Sequence, residues 1–165
     1  MIITFNMINK LTNRSGKIIL VLDNIRSVYN VGSIFRTADC AGVSKIICLG
    51  VTPLPLDRFG RKRKDFAKVA LGAQDNIPWE YQSKFKRPTG KYKIICLEQN
   101  PKSIHFKKVK PMKGGDTYIV VGNEVDGVSR YLLKMSHEIA EIPLFGKKES
   151  LNVSVATGII LFSLL

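Results

Sequence analysis

A chain of 165 residues is the size of one domain, and with 45% hydrophobic and 24% charged residues it has a globular composition, not a disordered one. The charge is unusual: 26 Lys and Arg against 13 Asp and Glu give +13, which disfavours a cationic substrate and favours a polyanion, nucleic acid first and an anionic membrane surface second. The three cysteines, Cys40, Cys48 and Cys96, are odd in number and set among apolar neighbours, so buried free thiols are expected and a disulfide framework or a zinc site is not.

In chain order, residues 1–16 form a short lead, and Met1 to Met7 show neither the basic start nor the small-residue cleavage site of a signal peptide. Short apolar runs follow at 17–22, 45–49, 92–97, 117–121 and, more weakly, 138–142; such runs read as parallel strands buried on both faces. Between them, 30–41 places Ile34, Ala38 and Ala41 on one helical face, and 129–135 and 150–164 also read as helices. The stretch 84–93 is interrupted by Pro88 and Gly90 and is short for a helix. The apolar 153–165 falls short of the ~20 residues that span a bilayer and is expected as a buried C-terminal helix. Strands alternating with helices predict an α/β fold, a mostly parallel sheet flanked by helices, in one domain covering 1–165. The expected location is the cytoplasm, with no membrane and no metal.

The basic residues are clustered. Arg58, Arg61, Lys62, Arg63, Lys64 and Lys68 form one segment; Lys84, Lys86, Arg87, Lys91 and Lys93 a second; Lys102, Lys107, Lys108, Lys110 and Lys113 a third. One such cluster is ordinarily a solvated face, but three with a large net charge suit phosphate contacts. Phe59, Phe66, Trp79, Tyr81, Phe85 and Phe106 are interleaved with the first two and the last of these, as base-stacking groups or as core. There is no GxGxxG after the first strand, no Walker A loop and no GxSxG elbow, and His105 and His137 give little support to a Ser/His/Asp triad.

Three segments stand out. In 24–38, Asn30 suits a helix N-cap whose free N–H groups, beside Arg26 and Arg36, make an anion pocket; a plain capped helix fits equally well. In 121–129, a strand ends in a turn bracketed by Gly122 and Gly127 that carries Glu124 and Asp126, either an ordinary turn or a close approach to a ligand. In 142–156, Ser150 suits the cap of the last helix, and Asn152 and Ser154 place polar groups in an apolar helix start.

Together and in order, these segments resemble the three motifs of the SpoU/TrmH family of RNA 2′-O-ribose methyltransferases, within the SPOUT superfamily. The matching residues are Asn30 and Arg36; Gly122, Glu124 and Gly127; and Ile142-Pro143, Gly146 and Ser150 through Ser154. The resemblance runs from about Lys17 to the C-terminus. It implies a C-terminal trefoil knot, which no spacing argument supplies since knots are nearly absent from proteins. It implies S-adenosylmethionine bound by Leu97, Gly122, Ile142, Leu144 and Leu151, and a homodimer whose sites are completed by the partner subunit. The implied reaction is methyl transfer to a ribose 2′-oxygen, with Arg36, Asn30, Glu124, Ser150 and Asn152 as the catalytic set. The resemblance assigns Arg36 to the step in which the hydroxyl loses its proton, either as the base or, since a guanidinium normally stays charged, by binding a phosphate and stabilising the alkoxide. Arg26, Arg58, Arg61, Lys62, Arg63 and Lys64 are the expected RNA contacts. Transfer RNA is taken ahead of ribosomal RNA as substrate; the alternative is a non-catalytic RNA-binding module of the same fold, for example in ribosome assembly. A peripheral membrane protein rests on charge alone.

Overall fold

The computed structural model describes residues 16–165, so the expected lead at 1–16 and the reading of Met1 to Met7 lie, apart from Gly16, outside the described residues. The elements are β1 (Ile18–Asp23), α1 (Val28–Cys40), β2 (Lys45–Leu49), α2 (Lys64–Ala70), α3 (Ala73–Asn76), β3 (Trp79–Gln82), β4 (Tyr92–Leu97), β5 (Ile104–His105), a 3-10 turn (Phe106–Lys108), β6 (Asp116–Val121), α4 (Arg130–Met135), β7 (Glu138–Glu141) and α5 (Val153–Ser163). The sheet order is β3-β2-β1-β6-β4-β7-β5, and every pairing is parallel.

The apolar runs explain the layers. All six residues of β1 are buried. Ile18, Leu20 and Leu22 pack with Ile46, Cys48, Ile95, Ile119 and Val121 beneath α1, α2 and α5, which add Phe35, Phe66, Ile160 and Leu161. The alternate residues Ile19 and Val21 join Ile47, Leu49, Ile94, Cys96 and Val120 on the other face, covered by Leu132 of α4 and by Phe85. Phe35 and Phe66 meet edge to face, with centroids 5.1 Å apart, and lock α1 to α2. Truncating either ring to Ala costs about 3–5 kcal/mol. Because every strand runs the same way, the loops that leave β1, β2, β4, β6 and β7 emerge at one edge, where open parallel sheets bind ligands.

The five expected strands are present. The edge strands β3 and β5 were not foreseen, since their residues are half-exposed and mixed in polarity and leave no apolar run. The first basic segment ends in α2, whose buried face is Phe66 and Ala70. Two helix starts differ from expectation. Helix α1 is capped by Ser27, whose hydroxyl accepts from the Asn30 N–H at 3.3 Å, so Asn30 lies in the first turn and is not the cap. Helix α5 is capped by Asn152, not Ser150, through a 2.8 Å bond from the Ser154 N–H. Helix α5 is also only partly buried: Val155 and Phe162 are each about half exposed, as is Leu165 just beyond it.

Cys40 is exposed, against expectation, because it falls on the outer side of the last turn of α1. Cys48 and Cys96 are buried free thiols, both pushed up to about 12 by desolvation. Among the interleaved aromatics, Phe66 and Phe85 are core, Trp79 and Phe106 pack against it, and Phe59 and Tyr81 face water. Among the described residues no helix is long and apolar enough to cross a membrane, and no group of three or more His, Cys, Asp or Glu could hold a metal ion.

Candidate functional site

The site is built from four loops at the carboxyl edge of the sheet. Asp23, at the end of β1, is almost fully buried; its carboxylate accepts from the Ser129 N–H at 2.7 Å and the Asn24 side chain at 2.8 Å. This bond ties the β1 loop to the β6 loop. Asn24 turns in the left-handed region at φ 55°, and its carbonyl accepts from the Asn123 side chain at 2.8 Å. The Asn123 side-chain oxygen, Oδ1, in turn accepts from the N–H groups of Val125 and Asp126. Asn123 and Gly127 exchange two backbone bonds of 3.0 Å, which closes the turn.

Two glycines are required here. A Cβ on Gly122 would lie 2.2 Å from the backbone of Gly127 and Val128. Gly127 has φ +69°, and a Cβ there would meet the Glu98 carboxylate. Glu98 uses that carboxylate to accept from the Val128 N–H at 2.8 Å, fixing the β4 loop against the β6 loop.

Between these loops lies a cleft of about 240 Å³. All five residues expected to hold a cofactor, Leu97, Gly122, Ile142, Leu144 and Leu151, line it, together with Glu124 and Ser150. Gln99 closes one side by donating to the Glu149 carbonyl at 2.7 Å. Aliphatic side chains face backbone and polar groups across the cleft, a donor set that fits an adenine with a polar tail.

At the rim the three motif segments meet. The Asn30 side chain donates to Glu124 at 2.8 Å, and its oxygen accepts from the Asn152 side chain at 3.1 Å. Glu124 also accepts from the Arg26 N–H at 3.2 Å. Partial burial pushes the Glu124 carboxyl up, but the bonds from Asn30 and from the backbone of Arg26 and Ser27 outweigh it and hold the group below its ordinary value. The anion pocket expected at the start of α1 therefore exists, but Glu124 fills it, so it is not a phosphate site. Arg26 is likewise engaged, with its guanidinium 3.2 Å from Asp126.

The expected catalytic set is thus divided. Asn30, Glu124 and Asn152 are joined, and Ser150 lines the cleft. Arg36 is brought to neither: it is exposed, lies outside the cleft, and makes no hydrogen bond or ion pair among the described residues. Six residues along a helix is about 9 Å of rise and more than half a turn past the last full one, so Arg36 points away from Asn30. Of the expected RNA contacts, Arg61, Lys62 and Arg63 pair with Asp57, Asp75 and Asp65, while Arg58 and Lys64 have no acidic partner among the described residues.

Asp23, Glu98, Gln99 and Asn123, which hold the loops together, were not among the expected residues. Their signal was present: Asp23 ends a buried strand, Glu98 and Gln99 follow one, and Asn123 follows the glycine that closes one.

A model of the SpoU rRNA Methylase family matches residues 17–162. Over 160 residues the chain is 31% identical to a tRNA (guanosine(18)-2′-O)-methyltransferase of Aquifex aeolicus, covering 92% of this chain and 70% of that protein. Over 168 residues it is 32% identical to a 23S rRNA (guanosine-2′-O-)-methyltransferase of Pseudomonas aeruginosa, covering 97% and 64%. Among solved structures, an AdoMet-bound rRNA methyltransferase from Sinorhizobium meliloti superposes with a TM-score of 0.76 at 26% identity, over 89% of this chain and 55% of that one. The A. aeolicus TrmH/SpoU tRNA modifying enzyme gives 0.72 at 30%, over 93% and 76%. The fold is thus the SPOUT-like one that the motifs implied. The chain spans 57–70% of the length of the similar curated relatives.

The lowered carboxyl of Glu124 gives a pH test. A depressed group stabilises the fold fully above its ordinary value of 4.5 and loses that contribution as the pH falls through its lower folded value. In urea unfolding, the native protein is expected to exceed Glu124→Gln in stability by a constant amount near neutral pH, and the gap is expected to narrow below the ordinary value. A gap independent of pH contradicts this.

Proposed function

The chain belongs to the SpoU rRNA methylase family, and on that premise we propose that it transfers a methyl group from S-adenosylmethionine to a ribose 2′-hydroxyl of RNA. The observation that carries the reading is the cleft, where all five expected cofactor residues converge beneath the Asn30–Glu124–Asn152 junction. Ribosomal RNA is the favoured substrate class. Enzymes named for 23S rRNA outnumber the tRNA enzyme among the similar curated relatives, at 30–32% identity against 31%, which supports rRNA ahead of the expected tRNA.

Leu97, Ile142, Leu144 and Leu151 would hold the adenine, and the close backbone at Gly122 would be available to it for hydrogen bonds. When bound, S-adenosylmethionine supplies an electrophilic methyl on a sulfonium. The protein's task is then to place a ribose oxygen in line with that methyl and to stabilise the oxygen as its proton passes to solvent. Glu124 does not serve as the base: its carboxyl is held low and both oxygens are engaged, which makes it a positioning residue. Arg36 remains charged, binds a phosphate beside the target ribose and stabilises the developing alkoxide.

Since Arg36 does not reach the cleft of its own subunit, we infer that it acts in the cleft of a partner copy. Support comes from α5, where Val155 and Phe162, with the half-buried Ile159, form an apolar stripe at helical spacing. Helix α5 packs on α1 beside Arg36, with Gly158 facing Thr37. A second copy seated on that stripe covers the Arg36 side of α1.

Incubation with methyl-labelled S-adenosylmethionine and separated rRNA and tRNA is expected to place label on a ribose 2′-oxygen, in rRNA ahead of tRNA. Arg36→Ala is expected to lower the rate about 10²–10³-fold. Label on a base, or near-native activity of Arg36→Ala, contradicts the reading. In sedimentation, the native chain is expected as a dimer and Phe162→Glu as a monomer; a monomeric native chain removes the basis for action in the partner's cleft.

A further inference from the structure

The loop that follows β2 emerges at the same sheet edge as the cleft. Residues 56–62 fold back as a small hairpin, with Leu56 and Lys62 bridged antiparallel. Its closure is unusually complete for a surface loop. The Asp57 N–H donates to the Arg61 carbonyl, and the Gly60 N–H donates to the Asp57 carbonyl, both at 2.9 Å. One Asp57 carboxylate oxygen accepts from the N–H groups of Phe59 at 2.8 Å and Arg61 at 3.0 Å; the other accepts from the Arg61 guanidinium at 2.8 Å. Gly60, at φ +76°, makes the reversal.

This hydrogen-bonded frame holds Phe59 out into water, with the residue 65% exposed. The guanidinium carbons of Arg58 and Arg61 lie 4.7 and 4.9 Å from the centroid of its ring. Arg61 is anchored by Asp57, whereas Arg58 has no acidic partner among the described residues. Lys64 and Lys68 extend the positive field from α2. An apolar ring held in solvent by a fixed turn and flanked by two guanidinium planes lacks a partner that is flat and anionic.

We propose that Phe59, with Arg58 and Arg61, is a stacking platform for an unpaired nucleobase of the RNA substrate. The proposal rests on the RNA reading above and adds a contact outside the cleft. A nucleotide supplies both halves of the match: a π face for the ring or a guanidinium plane, and a phosphate for the free Arg58. The hairpin contributes nothing to the lining of the cleft, so the platform adds to the grip on RNA without entering the cofactor site. A base in a duplex is already stacked on both faces, so the platform selects single-stranded RNA at this position. The hairpin is already rigid, so little ordering cost opposes the contact.

The test uses a single-stranded RNA oligonucleotide carrying 2-aminopurine, whose fluorescence is quenched on stacking, and the same sequence in a duplex. The full chain is expected to quench the single strand and not the duplex. Phe59→Ala is expected to abolish the quenching and weaken binding about 5- to 150-fold, the range for loss of one stacked base. Phe59→Trp is expected to restore both, and S-adenosylmethionine binding is expected to be unchanged in every variant. Equal quenching and affinity in the native chain and Phe59→Ala overturn the platform alone, and point to a protein contact at this hairpin instead. A native chain that binds no RNA overturns both the platform and the activity on which it rests.

Discussion

The start of a helix leaves N–H groups without intrahelical partners and carries partial positive charge. In this chain the anion that meets the start of α1 comes from a distant loop. Glu124 lies 98 residues beyond Arg26 in sequence, yet its carboxylate accepts from the Arg26 N–H and from the Asn30 side chain. The other end of the Asn30 amide accepts from Asn152, the cap of α5. One carboxylate and one amide thereby hold three segments in fixed relation, and the cleft exists because they do. Asp23 supports the junction from below, since its buried carboxylate fixes Ser129 and so the exit of the loop that carries Glu124. Because Asp23 is buried, removing its carboxylate leaves the Ser129 N–H without its acceptor and loosens that loop.

The parts of the fold legible in the sequence are those governed by local burial. Parallel strands covered on both faces are continuous apolar runs, so β1, β2, β4, β6 and β7 could be read directly. The residues Leu97, Gly122, Ile142, Leu144 and Leu151 were legible through the motifs and occupy a single cleft. What escaped is non-local or depends on geometry. A capping role for Asn30 was reasonable from residue type, but Ser27 takes it because Asn30 is engaged by Glu124 from another loop. The cap of α5 falls on Asn152 and not on Ser150 because the helix starts at Val153. Edge strands β3 and β5 carry no apolar signature, and the outward placement of Cys40 depends on where α1 stops.

The net charge also divides on folding. The segment from Arg58 to Lys64 lies between β2 and α2 and is tied to α3 where Lys62 pairs with Asp75. Lys93 and Lys110 lie toward the edge opposite the cleft, where Lys93 is 2.6 Å from Glu138 and donates to the Lys110 carbonyl. The three basic clusters are therefore not one surface. Within the first, ion pairs with Asp57, Asp75 and Asp65 hold three cations in place. Such exposed pairs add little stability, but they keep the charges in a defined arrangement beside Phe59.

The placement of Arg36 links chemistry to assembly. It is the one basic residue of the motifs, and its own subunit offers it neither the cleft nor a partner among the described residues. The most direct measurement combines two inactive proteins, Arg36→Ala and Leu144→Arg, the second with its cleft obstructed. In a mixed dimer carrying one copy of each, action across the interface leaves one site with an intact cleft and an intact arginine. The account predicts about half of native 2′-O-methyl transfer to RNA from that purified mixed dimer. Activity no greater than that of the two parent variants contradicts it.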